Sequence, residues 1–254
     1  MKLKKVKKKL QNLDINKIHK GNCIELMKKI KSNSINLIIT DPPFAIDFKS
    51  NRLNYNRKSE NVLGGYNEIL KKDYSKFSKD WINQAFRVLK PNGSMYVFSG
   101  WTNLKDILNA LDETGFTTIN HLIWKYQFGV YCSKKWVTSH YHIIYVVKNP
   151  KKWIFNKQDQ YPEDVLTINR EYWTGKIKTP TKLPTELLKK LILYSSNEGD
   201  IVMDCFSGSG QTAVVSKMLK RNFIAFDTVK EYVDFGNNRL KKTPAKLINI
   251  KETL

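Results

Sequence analysis

Leu37-Ile38-Ile39-Thr40-Asp41-Pro42-Pro43-Phe44 joins a short apolar, β-branched run to a carboxylate, two prolines and an aromatic ring. The run reads as a buried strand, and the prolines make its end a rigid exit. Each proline ring fixes one φ, and Pro43 biases Pro42 towards an extended conformation. Backbone carbonyls at such an exit point in set directions. The Asp41 carboxylate and the Pro42 carbonyl then offer two hydrogen-bond acceptors beside the face of Phe44, which suits a planar heterocycle carrying an exocyclic amine. An Asp-Pro-Pro by itself also fits an ordinary strand-to-turn junction, so the weight falls on a second stretch far along the chain.

That stretch is Ile201-Val202-Met203-Asp204-Cys205-Phe206-Ser207-Gly208-Ser209-Gly210-Gln211-Thr212-Ala213, followed by Val214, Val215, Met218 and Leu219 at helical spacing. A strand, a glycine-rich turn and a helix let the backbone approach a ligand closely. Asn222-Phe223-Ile224-Ala225-Phe226 reads as the next strand, and Asp227 at its tip is placed to accept the hydroxyls of a ribose. A dinucleotide fingerprint would want a third glycine where Ala213 stands, and no phosphate-cradling lysine follows, so a nucleoside ligand is favoured over a nucleotide.

Asp41-Pro42-Pro43-Phe44 together with Phe206-Ser207-Gly208-Ser209-Gly210 resembles the amino-methyltransferases of DNA that use S-adenosyl-L-methionine. The catalytic motif precedes the cofactor motif, which resembles the circularly permuted β group of that family. Thr179-Pro180-Thr181-Lys182-Leu183-Pro184, before a helix through Leu187, Leu188, Leu191 and Ile192, is similar to the family's cofactor-flanking motif. His19-Lys20-Gly21-Asn22-Cys23 is similar to its adenine-closing motif.

The resemblance implies an α/β three-layer sandwich of the Rossmann-like methyltransferase type, with about seven strands, one of them antiparallel. It implies base contacts from Asp41, Pro42, Pro43 and Phe44. It implies cofactor contacts from Asn22, Cys23, Asp41, Thr181, Lys182, Asp204, Phe206, Ser207, Gly208, Gly210, Thr212 and Asp227. The activity implied is site-specific methylation of the adenine N6 amine in double-stranded DNA, in a restriction-modification, orphan or phage setting. The cytosine N4 amine and an inactive DNA-binding subunit are the alternatives. A homodimer and a cognate restriction endonuclease are the further partners such a protein can have. The chain departs from the pattern at Asn22, where aspartate is common, at Leu183, where lysine is common, and at Gln211, where threonine is common. None of these touches Asp41.

Of 254 residues, 41% are hydrophobic, enough for a sizeable core. Lysine and arginine number 44 against 23 aspartates and glutamates, a formal charge of +21. Either the protein attracts a polyanion or lysine is simply over-used. The charge is interleaved with aromatic residues in mid-chain, which favours nucleic acid.

Residues 1–14 read as a basic N-terminal arm and 15–254 as a single domain, with a polar catalytic-side loop at 45–72 and a short target-recognition region at 125–178. Arg52, Arg57 and Lys58 in the first insertion, and Lys134, Lys135 and Trp136 in the second, are the candidate DNA contacts. Nothing approaches the roughly 18 consecutive apolar residues of a membrane span, and no apolar run follows the N-terminal lysines as in a secretory signal. Three scattered cysteines support neither disulfides nor zinc, so a reducing cytoplasm is expected. His140 and His142 are expected on opposite sides of a strand, and no metal is expected.

Overall fold

The computed structural model describes residues 9–10, 13–44, 69–129, 133–172 and 182–244. Lys9–Leu10 (β1) and Leu13–Asp14 (β2) form a small antiparallel ladder, and the buried Leu13 ties the end of the basic arm to the core. The main sheet contains Lys17–Lys20 (β3), Ile35–Thr40 (β4), Leu89–Ser99 (β5), Thr117–Lys125 (β6), His140–Val147 (β7), Val165–Thr167 (β8), Ile201–Asp204 (β9) and Asn222–Asp227 (β10). Their spatial order is β3-β10-β9-β4-β5-β7-β6-β8, and β7 alone runs against the rest.

Helices cover both faces. Cys23–Lys28 (α1), Tyr74–Val88 (α2) and Leu104–Thr114 (α3) pack Met27, Trp81, Ile82 and Ile107 against Ile38, Met95, Met203 and Phe226. Thr185–Ser195 (α4), Gln211–Met218 (α5) and Lys230–Lys242 (α6) cover the other face. There Leu187, Leu188 and Val215 meet Leu37, Ile39, Tyr96 and Val202, while Val214 and Val233 meet Ile18 and Phe223. Covering on both sides explains why every residue of β4 is buried and why Leu37-Ile38-Ile39 is apolar without alternation.

From β4 the chain moves outward to β5, and from β9 it moves the opposite way to β10. The order therefore reverses between β4 and β9, which pair directly at Leu37 with Val202 and at Ile38 with Met203. Ligands in open α/β sheets bind outside the strand ends at such a reversal. Both motifs read from the sequence leave the sheet at this point.

Three expectations are corrected. The sheet has eight strands, because the three-residue β8 from the target-recognition region adds to its edge beside β6. Pro91-Asn92-Gly93, whose residue types predict a turn closing the preceding helix, is no chain reversal: β5 runs through it from Leu89, and the extra residues bulge between the pairings of Ile35 with Leu89 and Leu37 with Ser94. His140 and His142, two apart on β7, share a face because strand side chains alternate with period two; their rings lie 5.1 Å apart. His142 Nδ1 also meets His121 Nε2 at 2.8 Å.

Candidate active site

β4 ends at Thr40, so Asp41 stands at the carboxyl end of the sheet with Pro42, Pro43 and Phe44 leading away. Asp41 Oδ1 is sealed from solvent, and among the described residues no hydrogen-bond donor meets it. Burial, with the nearby Asp204 charge adding to it, pushes Asp41 up to about 7. A buried carboxylate oxygen at a strand end that no described donor meets suits the N–H of a bound ring.

Asp204, at the tip of β9, is more fully supported. It accepts hydrogen bonds from Thr40 Oγ1 at 3.2 Å and from the Phe206 N–H at 3.1 Å, and Thr212 also donates to it. Burial still raises it to about 6. The turn that follows is built for close approach. Gly210 has φ +75°, and a Cβ there would come within 2.6 Å of Ile18 Cδ1. Gly208 has φ +47° and faces open space. Asp227 brackets this turn: Oδ2 accepts the Gly208 N–H at 2.8 Å and Oδ1 the Val229 N–H at 2.9 Å. Burial raises the Asp227 pKa while these backbone donors oppose the rise. Ser207 Oγ is buried and, among the described residues, also lacks a hydrogen-bond partner, a second such polar atom beside the same reversal. Phe206 packs edge-on against Trp81 at 5.5 Å and on Phe77 at 5.8 Å, fixing the entrance to the turn.

The other predicted residues divide. Asn22 caps α1, its Oδ1 accepting the Ile24 N–H at 2.8 Å, and lines a groove of about 450 Å³ between α1 and α2 with Asp80 and Asn83. None of Asp41, Gly208 and Asp227 lines that groove. The Cys23 thiol is buried in the core, and burial pushes it up to about 12, so its side chain is not presented to a ligand. Lys182 pairs with Glu171, whose other oxygen accepts the first N–H of α4 from Thr185 at 2.6 Å. Thr181, Arg52, Arg57, Lys58 and most of the 45–72 loop lie outside the described residues. Lys134, Lys135 and Trp136 are exposed, Trp136 at 95%. Among the described residues no group of three or more His, Cys, Asp or Glu is arranged to hold a metal ion. No described helix is long and apolar enough to cross a membrane.

Sequence reasoning missed several supports. Thr40 joins the two motifs. Arg239 of α6 donates to Ser209 O at 2.7 Å and to Gln211 Oε1 at 2.5 Å, and Gln211 Nε2 donates to Thr185 Oγ1 at 2.9 Å, so α4 and α6 are both tied to the glycine turn. Such partners are remote in sequence and leave no local signal.

A mostly parallel sheet with a strand-order reversal, an acceptor-rich proline turn on one side of it and a glycine turn with a terminal carboxylate on the other suits a nucleoside ligand beside an amine-bearing ring. Comparison with known proteins makes the class specific. A family model described as DNA methylase, of the N6/N4 class, matches residues 35–238, and the chain belongs to that family of DNA amino-methyltransferases. The type II methyltransferase M.HpaI of Haemophilus parainfluenzae is 33% identical over 239 residues, covering 87% of this chain and 72% of that protein. M2.LlaDCHI of Lactococcus lactis subsp. cremoris is 35% identical over 247 residues, covering 87% and 88%. Among solved structures, the M1.HpyAVI-SAM complex superposes with a TM-score of 0.64 at 26% identity, covering 88% of this chain and 98% of that one.

Proposed function

We propose that this protein methylates the N6 amine of adenine in double-stranded DNA, as the modification enzyme of a restriction-modification system. S-adenosyl-L-methionine is the methyl donor. The observation that carries the choice of chemistry is the buried Asp41 Oδ1 at the exit of β4, which no donor meets among the described residues, beside a proline-fixed turn and an aromatic ring. Aspartate as the first residue of this motif favours adenine over cytosine.

The residues around the reversal fit the cofactor. Asp227 faces the turn with a carboxylate that the Gly208, Val229 and Thr228 N–H groups hold in place for ribose hydroxyls, Gly208 opens the turn to close approach, and Ser207 Oγ, which no described partner meets, suits a polar group of the ligand. When bound, the cofactor supplies an electrophilic methyl carbon on a sulfonium.

The protein's task lies with the amine, a poor nucleophile because its lone pair is delocalised into the ring. Asp41 and the Pro42 carbonyl accept the two amine protons, which favours a pyramidal nitrogen with its lone pair directed outward. This nitrogen would receive its methyl group from the cofactor held at the glycine turn and Asp227, with the thioether as the leaving group. The amine gives up one proton, and the Asp41 carboxylate is the acceptor already in contact with it. The base must first leave the duplex, at a cost of a few kcal/mol that stacking on Phe44 offsets. Lys134, Lys135 and Trp136 are exposed to meet the DNA.

The test is to incubate the protein with unmethylated DNA and methyl-labelled S-adenosyl-L-methionine, digest the DNA and identify the labelled nucleoside. N6-methyladenine is expected. Label on the cytosine amine would keep the mechanism and replace the substrate, and label on neither would overturn the reading.

A further inference from the structure

Phe44 does not stand alone at the site. Its ring stacks on Tyr141 of β7 with centroids 5.8 Å apart and planes 28° apart. Its edge lies over Gly100, where an added Cβ would sit 3.9 Å from Phe44 Cδ2. Tyr141 stacks in turn on Trp124, its register partner on β6, at 5.7 Å and 18°. Trp124 is pinned because its buried Nε1–H donates to Ile168 O at 2.8 Å. Tyr126 closes the group from the side, 5.4 Å from Trp124 and 5.9 Å from Tyr141, and the Arg170 guanidinium lies 3.9 Å over Tyr126. Tyr141 is thus an inner rung, fixed from behind by residues of the region between β6 and α4 and pressing forward on the ring proposed to receive the base.

Resting on the amine-transfer reading above, we infer that Tyr141 is a positioning residue: it holds the plane of Phe44 so that the flipped base lands with its amine at Asp41 and Pro42. The prolines fix the backbone before Phe44 but leave its χ angles free. An aromatic ring covered on one face by Tyr141 keeps its other face for the base, in the offset stacking that aromatic pairs prefer. Without that backing the ring samples other rotamers, and the amine is misplaced even though both acceptors are intact. Small misplacements of a reacting group are costly in rate.

The experiment uses the full-length protein and a duplex containing its mapped methylation site. Tyr141→Leu, which keeps apolar bulk, is expected to lower kcat about 10- to 100-fold while KM for DNA and cofactor affinity stay within about twofold. Tyr141→Phe is expected to recover most of the rate, since the ring and not the hydroxyl does the backing. With 2-aminopurine at the target position and S-adenosylhomocysteine bound, the Leu variant should fluoresce more brightly than wild type, because the extrahelical base is less stacked. Wild-type kcat and fluorescence in the Leu variant would overturn the inference. So would a parallel fall of rate, cofactor affinity and melting temperature, which marks a residue of the core only. A wild-type protein that methylates neither amine would instead refute the transfer reading itself, so the two failures are distinguishable.

Discussion

Thr40 at the end of β4 and Asp204 at the end of β9 lie 164 residues apart, and the Thr40 hydroxyl donates to the Asp204 carboxylate at 3.2 Å. The same oxygen accepts the Cys205 N–H at 3.2 Å. One buried hydroxyl therefore sets the catalytic strand against the cofactor strand, and Asp41 and the glycine turn each begin one residue beyond a fixed pair. The arrangement brings two carboxylates, Asp41 and Asp204, into one poorly solvated space.

That proximity predicts a pH profile. Asp41 is raised from 3.8 to about 7 by burial and the Asp204 charge. In the role proposed for it Asp41 accepts amine protons best when ionised, so log kcat/KM should climb by about one per pH unit below that value and flatten above it. The stability effect has the opposite direction. The folded state holds the proton more tightly than the unfolded state, so this contribution is complete below pH 3.8 and is lost as pH rises through about 7. Melting curves of wild type and Asp41→Asn across that window should converge at low pH. At high pH the Asn variant should be the more stable.

Asp227→Ala removes the acceptor of the Gly208 and Val229 N–H groups together with the proposed ribose contact. A loss of about 1–3 kcal/mol in stability and a 10- to 100-fold weaker cofactor affinity, roughly, are expected by chemical denaturation and calorimetric titration. Unchanged cofactor affinity would remove Asp227 from the cofactor site.

Gly210→Ala tests the tightest point of the turn. At φ +75°, with Ile18 Cδ1 only 2.6 Å from the added Cβ, strain and overpacking act together. A destabilisation of about 2–4 kcal/mol is expected. Thermal unfolding of the variant measures it, and a cost near zero would show that the α5–β3 contact yields freely.

Lys134→Ala with Lys135→Ala removes two exposed cations from the β6–β7 connection. DNA affinity should fall, and the slope of log affinity against log salt should shrink by about two, one for each phosphate no longer neutralised, while cofactor affinity stays constant. An unchanged slope would place the DNA elsewhere.

Much of this architecture was legible because the motif strands are buried on both faces and advertise themselves as apolar runs bounded by punctuating residues. Ile35–Thr40 and Asn222–Asp227 needed no long-range information, and Asp41, Gly208, Gly210 and Asp227 follow directly from where those strands and Ile201–Asp204 end. The illegible parts depend on pairing. Pro91-Asn92-Gly93 carries turn chemistry, but pairing on both sides of β5 absorbs it as a bulge. Three residues of β8 are too few to show periodicity, and only the edge of β6 makes them a strand. Lys182, expected at the cofactor, meets Glu171, which also accepts from the start of α4. Tyr141 reaches Phe44 only because β7 runs antiparallel and carries its first residues to the catalytic end of the sheet.

The central claim is that Asp41 acts on the amine and not on the fold or the cofactor. Its most direct test is Asp41→Ala, assayed side by side for methyl transfer to DNA, S-adenosyl-L-methionine binding and thermal stability. Transfer is expected to fall below detection while cofactor affinity stays within about tenfold and the melting temperature does not drop, because the carboxyl group removed is buried and its Oδ1 meets no donor among the described residues. Transfer near the wild-type rate in that variant would contradict it.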